Sequence, residues 1–192
     1  WVARARATAS GRRSFDDAIA CFVEAHRAHV AAGDMRSAAQ IGLYLGSFYT
    51  WSGAWEQAGE SIEDALRVAG RLGADYLTLW GRYVRGKLEV ETEPYEKASA
   101  TLEAVAARGV SSPRIRAGAL VFGAVAAQRV GRFDVAESWA RSALALEPAL
   151  VVMRAGSAAL CRALLAQRRV GEAVLLEPAL ALRPELGAIS EL

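Results

Sequence analysis

Small residues recur along this chain at a nearly constant interval, and this period constrains the fold more than any other feature. Ala18, Ala58, Ala98, Ala136 and Ala173 stand in similar apolar contexts, at intervals of 40, 40, 38 and 37 residues. A period of this length is typical of arrays in which one supersecondary unit stacks on the next. We therefore predict repeats that bury their apolar faces against their neighbours.

Turn signals divide each period into two helices. Gly33, Gly73 and Gly109 each follow an apolar stretch, where a left-handed C-terminal cap is favoured. Asp34 and Asp75 then offer N-caps for the next helix. A second set of breaks falls about midway, at Gly11, Gly53, Glu93 with Pro94, Gly131 and Gly171. The pattern predicts a partial helix before Gly11, helices over 14–32, 35–52, 54–72, 75–92, 94–108, 113–130, 132–146, 149–169 and 172–182, and a frayed tail over 183–192.

Composition indicates a single helical domain over residues 1–192. With 192 residues, of which 53% are hydrophobic, the chain has enough apolar surface for one core. Its formal net charge of +2 gives no general attraction to nucleic acid or to an acidic membrane. The apolar run over 117–127 is shorter than the roughly 18 residues of a membrane span. Because the sequence opens on Trp1 rather than on methionine, we expect a fragment of a longer protein.

Residue usage favours a bacterial, cytoplasmic protein. Of the 23 basic residues, all except Lys87 and Lys97 are arginine, and alanine is abundant, as is typical of a high-GC bacterial gene. Cys21 and Cys161 lie in apolar helical stretches, which suits reduced, buried thiols.

Two repeats resemble the tetratricopeptide repeat (TPR) family. The second contains Leu45, Gly46 and Tyr49 followed by Ala58, Ile62 and Ala65, and the fourth runs from Gly131 to Glu137 and continues with Ala143 and Pro148. The sequence departs from the family pattern at Gly42, which replaces its tryptophan, and at Arg85, which replaces its leucine. The resemblance implies an all-α, right-handed α-solenoid of antiparallel helix pairs with about five repeats, whose first helices line a concave groove.

The same resemblance implies which side chains face the groove. The predicted peptide-binding residues are Leu43, Ser47, Trp51, Trp80, Tyr83, Lys87, Val121, Gln128, Arg129 and Arg168. Aromatic and apolar residues at one end and arginines at the other suit a peptide or helix with hydrophobic anchors and an acidic patch. The lysine and asparagine combination of the family's carboxylate-clamping members does not occur at these positions.

Alternative interpretations of these residues stay open. Tryptophans at helical spacing also suit a core position. We expect Trp55 and Trp139 to lie in the core, and for Trp51 and Trp80 both the core and the binding role stay open. Arginines near two successive turns, at positions 129, 132, 168 and 169, either form a basic patch or complement helix dipoles.

No pattern of residues indicates catalysis. His26 and His29 share a helix face, but the sequence fixes no third or fourth metal ligand. Glycine-rich phosphate loops, nucleophile elbows and Cys-x-x-Cys pairs do not occur. We therefore expect no enzyme activity, no cofactor and no metal.

The sequence thus predicts a noncatalytic scaffold that binds a partner protein or a segment of its own parent chain, with no membrane contact. The alternative is a regulatory or sensor domain of a bacterial transcriptional regulator or signalling kinase, which contacts nucleic acid or a small effector through the basic patch. Self-association is a third possibility, through Trp1 and Val2 or through Leu175, Leu176 and Leu180. The identity of the partner, the pathway and the oligomeric state stay open.

Overall fold

A computed structural model describes residues 15–146 and 150–176, and the secondary structure of this part of the chain consists of helices joined by turns, without strands. Its helices are α1 (Phe15–Ala31), α2 (Met35–Ser52), α3 (Trp55–Arg71), α4 (Asp75–Thr92), α5 (Tyr95–Arg108), α6 (Pro113–Arg129), α7 (Phe133–Leu144), α8 (Leu150–Ala166) and α9 (Val170–Val174). A short 3₁₀ helix, Gly109–Ser111, joins α5 to α6. The predicted helix before Gly11 and the predicted tail over 183–192 lie outside the described residues.

The chain divides into two compact units, Trp1–Thr92 and Glu93–Leu192. Within the first unit, each of the helices α1 to α4 packs on the next, and α2 also packs on α4. Within the second, α5 to α9 pack in the same sequential way, and α6 also packs on α8. Contact between alternate helices is typical of stacked helix pairs. The predicted all-α class with helices in consecutive pairs is confirmed, while the single domain over 1–192 stays a prediction.

Left-handed glycines close several of the turns, as predicted for Gly33 and Gly73. Their φ angles are +72° and +59°, and Gly53 and Gly131 adopt the same conformation. Asp34 also acts as predicted, because its carboxylate accepts a hydrogen bond of 3.1 Å from the Ser37 backbone N–H and so caps α2.

Three turn predictions were wrong. Gly109 has φ −76° and begins the 3₁₀ helix, where a Cβ would lie in tight contact with Arg116, 3.1 Å from its Cβ. Gly171 lies inside α9, since Arg168, with φ +61°, takes the left-handed position of that turn. Asp75 is the first residue of α4 rather than its cap, and the Ala74 carbonyl accepts the first bond of the helix, from Thr78.

The periodic alanines form the contacts between helices. All five, from Ala18 to Ala173, are buried. Phe22, Ile62 and Leu102, each one turn further along its helix, are also fully buried and fill the space that the small residues leave. The period in the sequence is therefore a period of close helix packing.

Trp139 shows how tight this packing becomes. Its indole lies on Gly123 of α6, where a Cβ would overlap the ring. The ring is half-buried against the cluster that includes Ala124 and Leu160, which agrees with the core position expected for Trp139.

We predict that Gly123→Ala lowers the free energy of unfolding by about 1–3 kcal/mol, because α6 and the Trp139 ring must move apart. Gly59→Ala, in the second turn of α3, is the matched control. Its new Cβ would lie 3.9 Å from the nearest side-chain atom, so the better helix propensity of alanine should raise stability by about 0.5–1 kcal/mol. Urea unfolding followed by circular dichroism measures both changes, and equal effects at the two sites would contradict the packing interpretation.

Candidate functional site

The predicted groove residues of the first unit lie on α2 and α4, the two helices that pack side by side. Ser47 and Trp51 are four residues apart on α2, and Trp80, Tyr83 and Lys87 follow steps of three and four on α4. These spacings place each set along one helix face.

Lys87 lies close to two aromatic rings, those of Trp51 and Tyr83, and these three residues form what we call the aromatic–lysine site. The Lys87 Nζ lies 4.3 Å from the centroid of the Trp51 ring and 5.6 Å from that of Tyr83. Both distances are within the range of a cation–π interaction. Lys87 is 5% exposed, whereas Trp51 is 45% exposed and forms the solvent-facing wall of the site.

Burial changes the proton equilibria of this site. Desolvation lowers the pKa of Lys87 to about 7 and raises the pKa of Tyr83. The Tyr83 phenol therefore stays neutral at physiological pH, while the Lys87 amine changes its charge near neutrality.

A row of aromatic rings holds Trp51 from behind. Trp51 packs edge-on against Phe48 with centroids 5.4 Å apart, and Phe48 continues to Phe22 of α1 at 5.2 Å. Phe22 stacks on Tyr44 at 5.4 Å, and Tyr44 meets Trp80 edge-on at 4.9 Å. The exposed indole is thus connected to the core. Sequence reasoning missed Tyr44 as part of this support, although it lies four residues before Phe48 on the same helix face.

Several predicted groove residues of the first unit belong to the core. Leu43 of α2 is fully buried. It lies where α2 meets α4, because a Cβ placed on Gly81 of α4 would be 3.3 Å from the Leu43 Cδ2. Ser47 and Trp80 are also buried. The small residues bring the helices so close that these positions contact neighbouring helices rather than solvent. Of the predicted set in this unit, Trp51 presents the most exposed surface.

In the second unit, the predicted groove residues do not form a comparable site. Val121 is buried with Ala117, Ala143 and Val152. Gln128 is half-buried and donates a hydrogen bond from its amide to the Ala159 carbonyl of α8, which is a structural role. Arg129 is exposed at the last position of α6. Arg168 lies in the turn after α8 rather than on its groove face.

The prediction that Trp55 belongs to the core was wrong. Trp55 is the first residue of α3 and is 49% exposed. The first position of a helix lies beyond the packed region between the helices, so its large side chain stays in solvent. Trp55 therefore provides an exposed tryptophan outside the aromatic–lysine site.

Ion pairs within the second unit engage part of the predicted basic patch. Arg169 forms two hydrogen bonds of 2.7 Å with the Glu172 carboxylate and one of 2.6 Å with Glu137. Arg141 binds the same two carboxylates, at 2.9 Å from Glu137 and 3.3 Å from Glu172. Gln167 donates a further hydrogen bond of 3.0 Å to Glu137. This network joins α7, α9 and the turn before α9.

Arg132 also has an intramolecular contact. Its guanidinium lies 4.9 Å from the centroid of the Tyr95 ring in the same unit. Arg132 and Arg169 of the proposed basic patch thus have structural contacts.

His26 and His29 of α1 have different surroundings. The His29 Nδ1 lies 3.1 Å from Asp34 Oδ2, and burial lowers the pKa of His26. In residues 15–146 and 150–176 no three histidine, cysteine or carboxylate side chains are grouped so that they could hold a metal ion.

The leucines proposed for self-association differ in exposure. Leu175 is 78% exposed, whereas Leu176 packs against the core cluster of α8. Leu180, Trp1 and Val2 lie outside the described residues. No helix in the described part of the chain is long and apolar enough to cross a membrane.

Comparison with known proteins supports the fold. The sequence matches no family model and no curated protein significantly. A solved structure of a mutant of MamA, a TPR-like protein, is similar to this chain with a TM-score of 0.50 and 20% sequence identity. The similarity covers 87% of this chain and 98% of that one. The chain has a TPR-like fold. At this identity, the likeness extends to the fold alone.

We predict that acid weakens the second unit. Partial burial raises the pKa of Glu137, but hydrogen bonds from Arg141 and Gln167 and the charge of Arg169 lower it, and the net pKa is below the ordinary value. Hydrogen bonds from Arg169 lower the pKa of Glu172 in the same way. In the folded state, the pKa values of both carboxyl groups lie below the ordinary 4.5. The stability that these ionised carboxylates contribute is therefore complete above about pH 4.5 and is lost as the pH falls through their folded-state pKa values.

Urea unfolding of the wild type and of Glu137→Gln between pH 3 and pH 7 measures this effect. The variant should be less stable at pH 7 and lose less stability on acidification. Glu103→Gln, which removes an exposed carboxylate of α5, serves as the control and should behave as the wild type does. Parallel curves for wild type and Glu137→Gln would contradict the assignment.

Proposed function

We propose that this chain is a noncatalytic scaffold that binds a peptide or helix, of a partner protein or of its own parent chain, against the α2 and α4 face of the first unit. The observation that carries the proposal is Trp51. Its indole is 45% exposed, yet it is held by Phe48 and lies over the Lys87 ammonium.

An exposed tryptophan in a fixed position is a suitable binding anchor. It buries a large apolar area on contact, and tryptophan is enriched among residues that dominate binding energy. Because Phe48 and Lys87 already pack against it, binding loses little further conformational entropy. The helical-repeat fold agrees with this function, since such proteins use side chains on stacked helices to hold extended ligands.

The finer parts of the proposal come from the sequence. The concave groove implied by the family resemblance is proposed for the α2 and α4 face of the first unit. A bacterial cytoplasmic setting agrees with the two free cysteines, Cys21 and Cys161. The basic-patch alternative gains no support from the ion pairs of Arg169 or from the Arg132 contact with Tyr95, so we do not propose nucleic-acid binding.

We predict that random 16-residue peptides displayed on phage and selected against the whole chain include binders that depend on Trp51. Trp51→Ala should weaken their affinity at least about tenfold, or 1–2 kcal/mol, because the anchor is removed. Isothermal titration calorimetry with the selected synthetic peptides measures the change.

Trp55→Ala is the matched control, since it removes a tryptophan of similar exposure on α3. It should leave affinity within twofold of the wild type. Circular dichroism establishes that both variants keep the helix content of the wild type. Peptides that bind all three proteins equally, or no selected peptide at all, would overturn the proposed site.

A further inference from the structure

We propose that the α2 and α4 face binds a proline-rich segment in the polyproline II conformation, along a ladder of aromatic rings that runs from Tyr76 to Trp51. This aromatic ladder consists of Tyr44 and Trp51 of α2 and Tyr76, Trp80 and Tyr83 of α4. The inference rests on the proposed function, because Trp51 is one of its anchors, and it specifies the class of the ligand.

Two contacts show that α2 and α4 run parallel and in register. The Tyr44 and Trp80 rings meet with centroids 4.9 Å apart, and the Trp51 ring lies 4.3 Å from the Lys87 Nζ. On each helix the second of these residues follows the first by seven positions, a rise of about 10 Å. Only parallel helices keep both pairs level, so the two helices present their side chains as successive steps of one surface.

Tyr76 forms the far end of the ladder. Its ring centroid lies 6.3 Å from that of Trp80, and its side chain is 55% exposed. Tyr76 precedes Lys87 by eleven residues, which is about 16 Å along the helix axis. Because Trp51 lies level with Lys87 on the neighbouring helix, and packed helix axes are 8–10 Å apart, the two exposed rings are separated by about 19 Å.

This separation matches two turns of a polyproline II helix. That conformation has three residues per turn and rises about 3.1 Å per residue, so residues i and i+6 lie on one side, about 19 Å apart. Prolines at these positions would therefore pack on Tyr76 and Trp51. The residue midway between them, i+3, would lie near Tyr44 and Tyr83, which are both half-buried.

The chemistry of the rings also suits such a ligand. Tyrosine and tryptophan combine a flat apolar ring with one hydrogen-bond donor, the phenol O–H or the indole N–H. A polyproline II segment has no internal hydrogen bonds, so its carbonyls can accept from these donors, whereas a helical ligand has already used most of its carbonyls. The conformation is also preformed, so binding orders the ligand little further.

The charges of the two helices favour an uncharged ligand. The charged residues of α2 and α4 are Arg36, Asp75, Arg82, Arg85, Lys87, Glu89 and Glu91. Lys87 and Glu89 are buried, and Arg85 pairs with Glu63 of α3. The others do not belong to the exposed surface of the ladder: Asp75 and Arg82 each precede a ladder residue by one position, which is about 100° around the helix.

Arg36 and Glu91 lie beyond opposite ends of the ladder and have opposite signs. The exposed surface between Tyr76 and Trp51 is therefore uncharged. A charged ligand side chain would lose hydration on these rings without gaining a partner, and a run of prolines avoids this cost.

We predict that blocked decaproline binds the whole chain, as measured by isothermal titration calorimetry and by tryptophan fluorescence. Tyr76→Ala and Trp51→Ala should each weaken its affinity at least fivefold, because each removes the contact at one end of the ladder. Trp55→Ala, which removes an exposed tryptophan outside the ladder, is the matched control and should stay within twofold of the wild type. Circular dichroism establishes that all three variants keep their helix content.

Two further peptides test the length and the conformation of the ligand. Blocked tetraproline spans about 12 Å and cannot reach both exposed rings, so it should bind at least tenfold more weakly than decaproline. A decamer of alternating glycine and serine is uncharged and long enough, but it is flexible. It should also bind at least tenfold more weakly.

The outcomes separate this inference from the proposed function. Decaproline that does not bind, that binds Tyr76→Ala as tightly as the wild type, or that binds no more tightly than the glycine–serine decamer would overturn the inference. Peptides selected by phage display that still depend on Trp51 would then leave the scaffold function standing. Absence of any Trp51-dependent ligand, among the selected peptides and decaproline alike, would overturn both.

Discussion

Close approach of helix backbones is the constraint on which the rest of this structure depends. Ala18, Ala58 and Ala136 are completely buried, and a Cβ at Gly46 would overlap the Ile62 side chain of the next helix. Contacts this short fix the separation and the register of neighbouring helices, because dense interiors do not deform smoothly. In the first unit, they set the distance between α2 and α4 and thereby allow Trp51 of one helix to cover Lys87 of the other.

The sequence was sufficient to predict most of the helices because period and turn chemistry agree. Apolar spacing defined α1 to α8 to within a few residues, and Gly33 and Gly73 adopt the expected conformation. The failures occur where two explanations of one residue compete. Gly109 is small because Arg116 is close, and Arg168 adopts a left-handed conformation that the sequence pattern assigned to a glycine. A glycine can occur because a neighbouring residue is close or because the backbone needs a positive φ angle. The sequence does not distinguish these two causes, whereas the structure does.

The sequence was sufficient to predict which residues form the candidate site, but not which of their side chains are exposed to solvent. Repeat spacing placed Trp51, Tyr83 and Lys87 on facing helices, yet it placed buried Leu43 in the same class. Side-chain exposure depends on how near the adjacent helix comes, which a pattern along one helix does not contain. One sequence signal was available, since the chain uses arginine for all but two of its basic residues. Lys97, the other lysine, forms an exposed ion pair with Glu93, whereas Lys87 is buried close to the Trp51 and Tyr83 rings.

The glycines with positive φ have a consequence for how this architecture tolerates sequence change. At Gly33, Gly53, Gly73 and Gly131, a Cβ would meet no atom of the described residues within 4 Å, apart from the neighbours in the chain. Within the described structure, the main demand on these positions is therefore that the backbone turn in the left-handed sense. Asn and Asp meet that demand at modest cost, and Arg168 already does so at the last turn. Repeats joined in this way can diverge in sequence, and acquire new surface residues at their corners, while the packed alanines between the helices keep the same geometry.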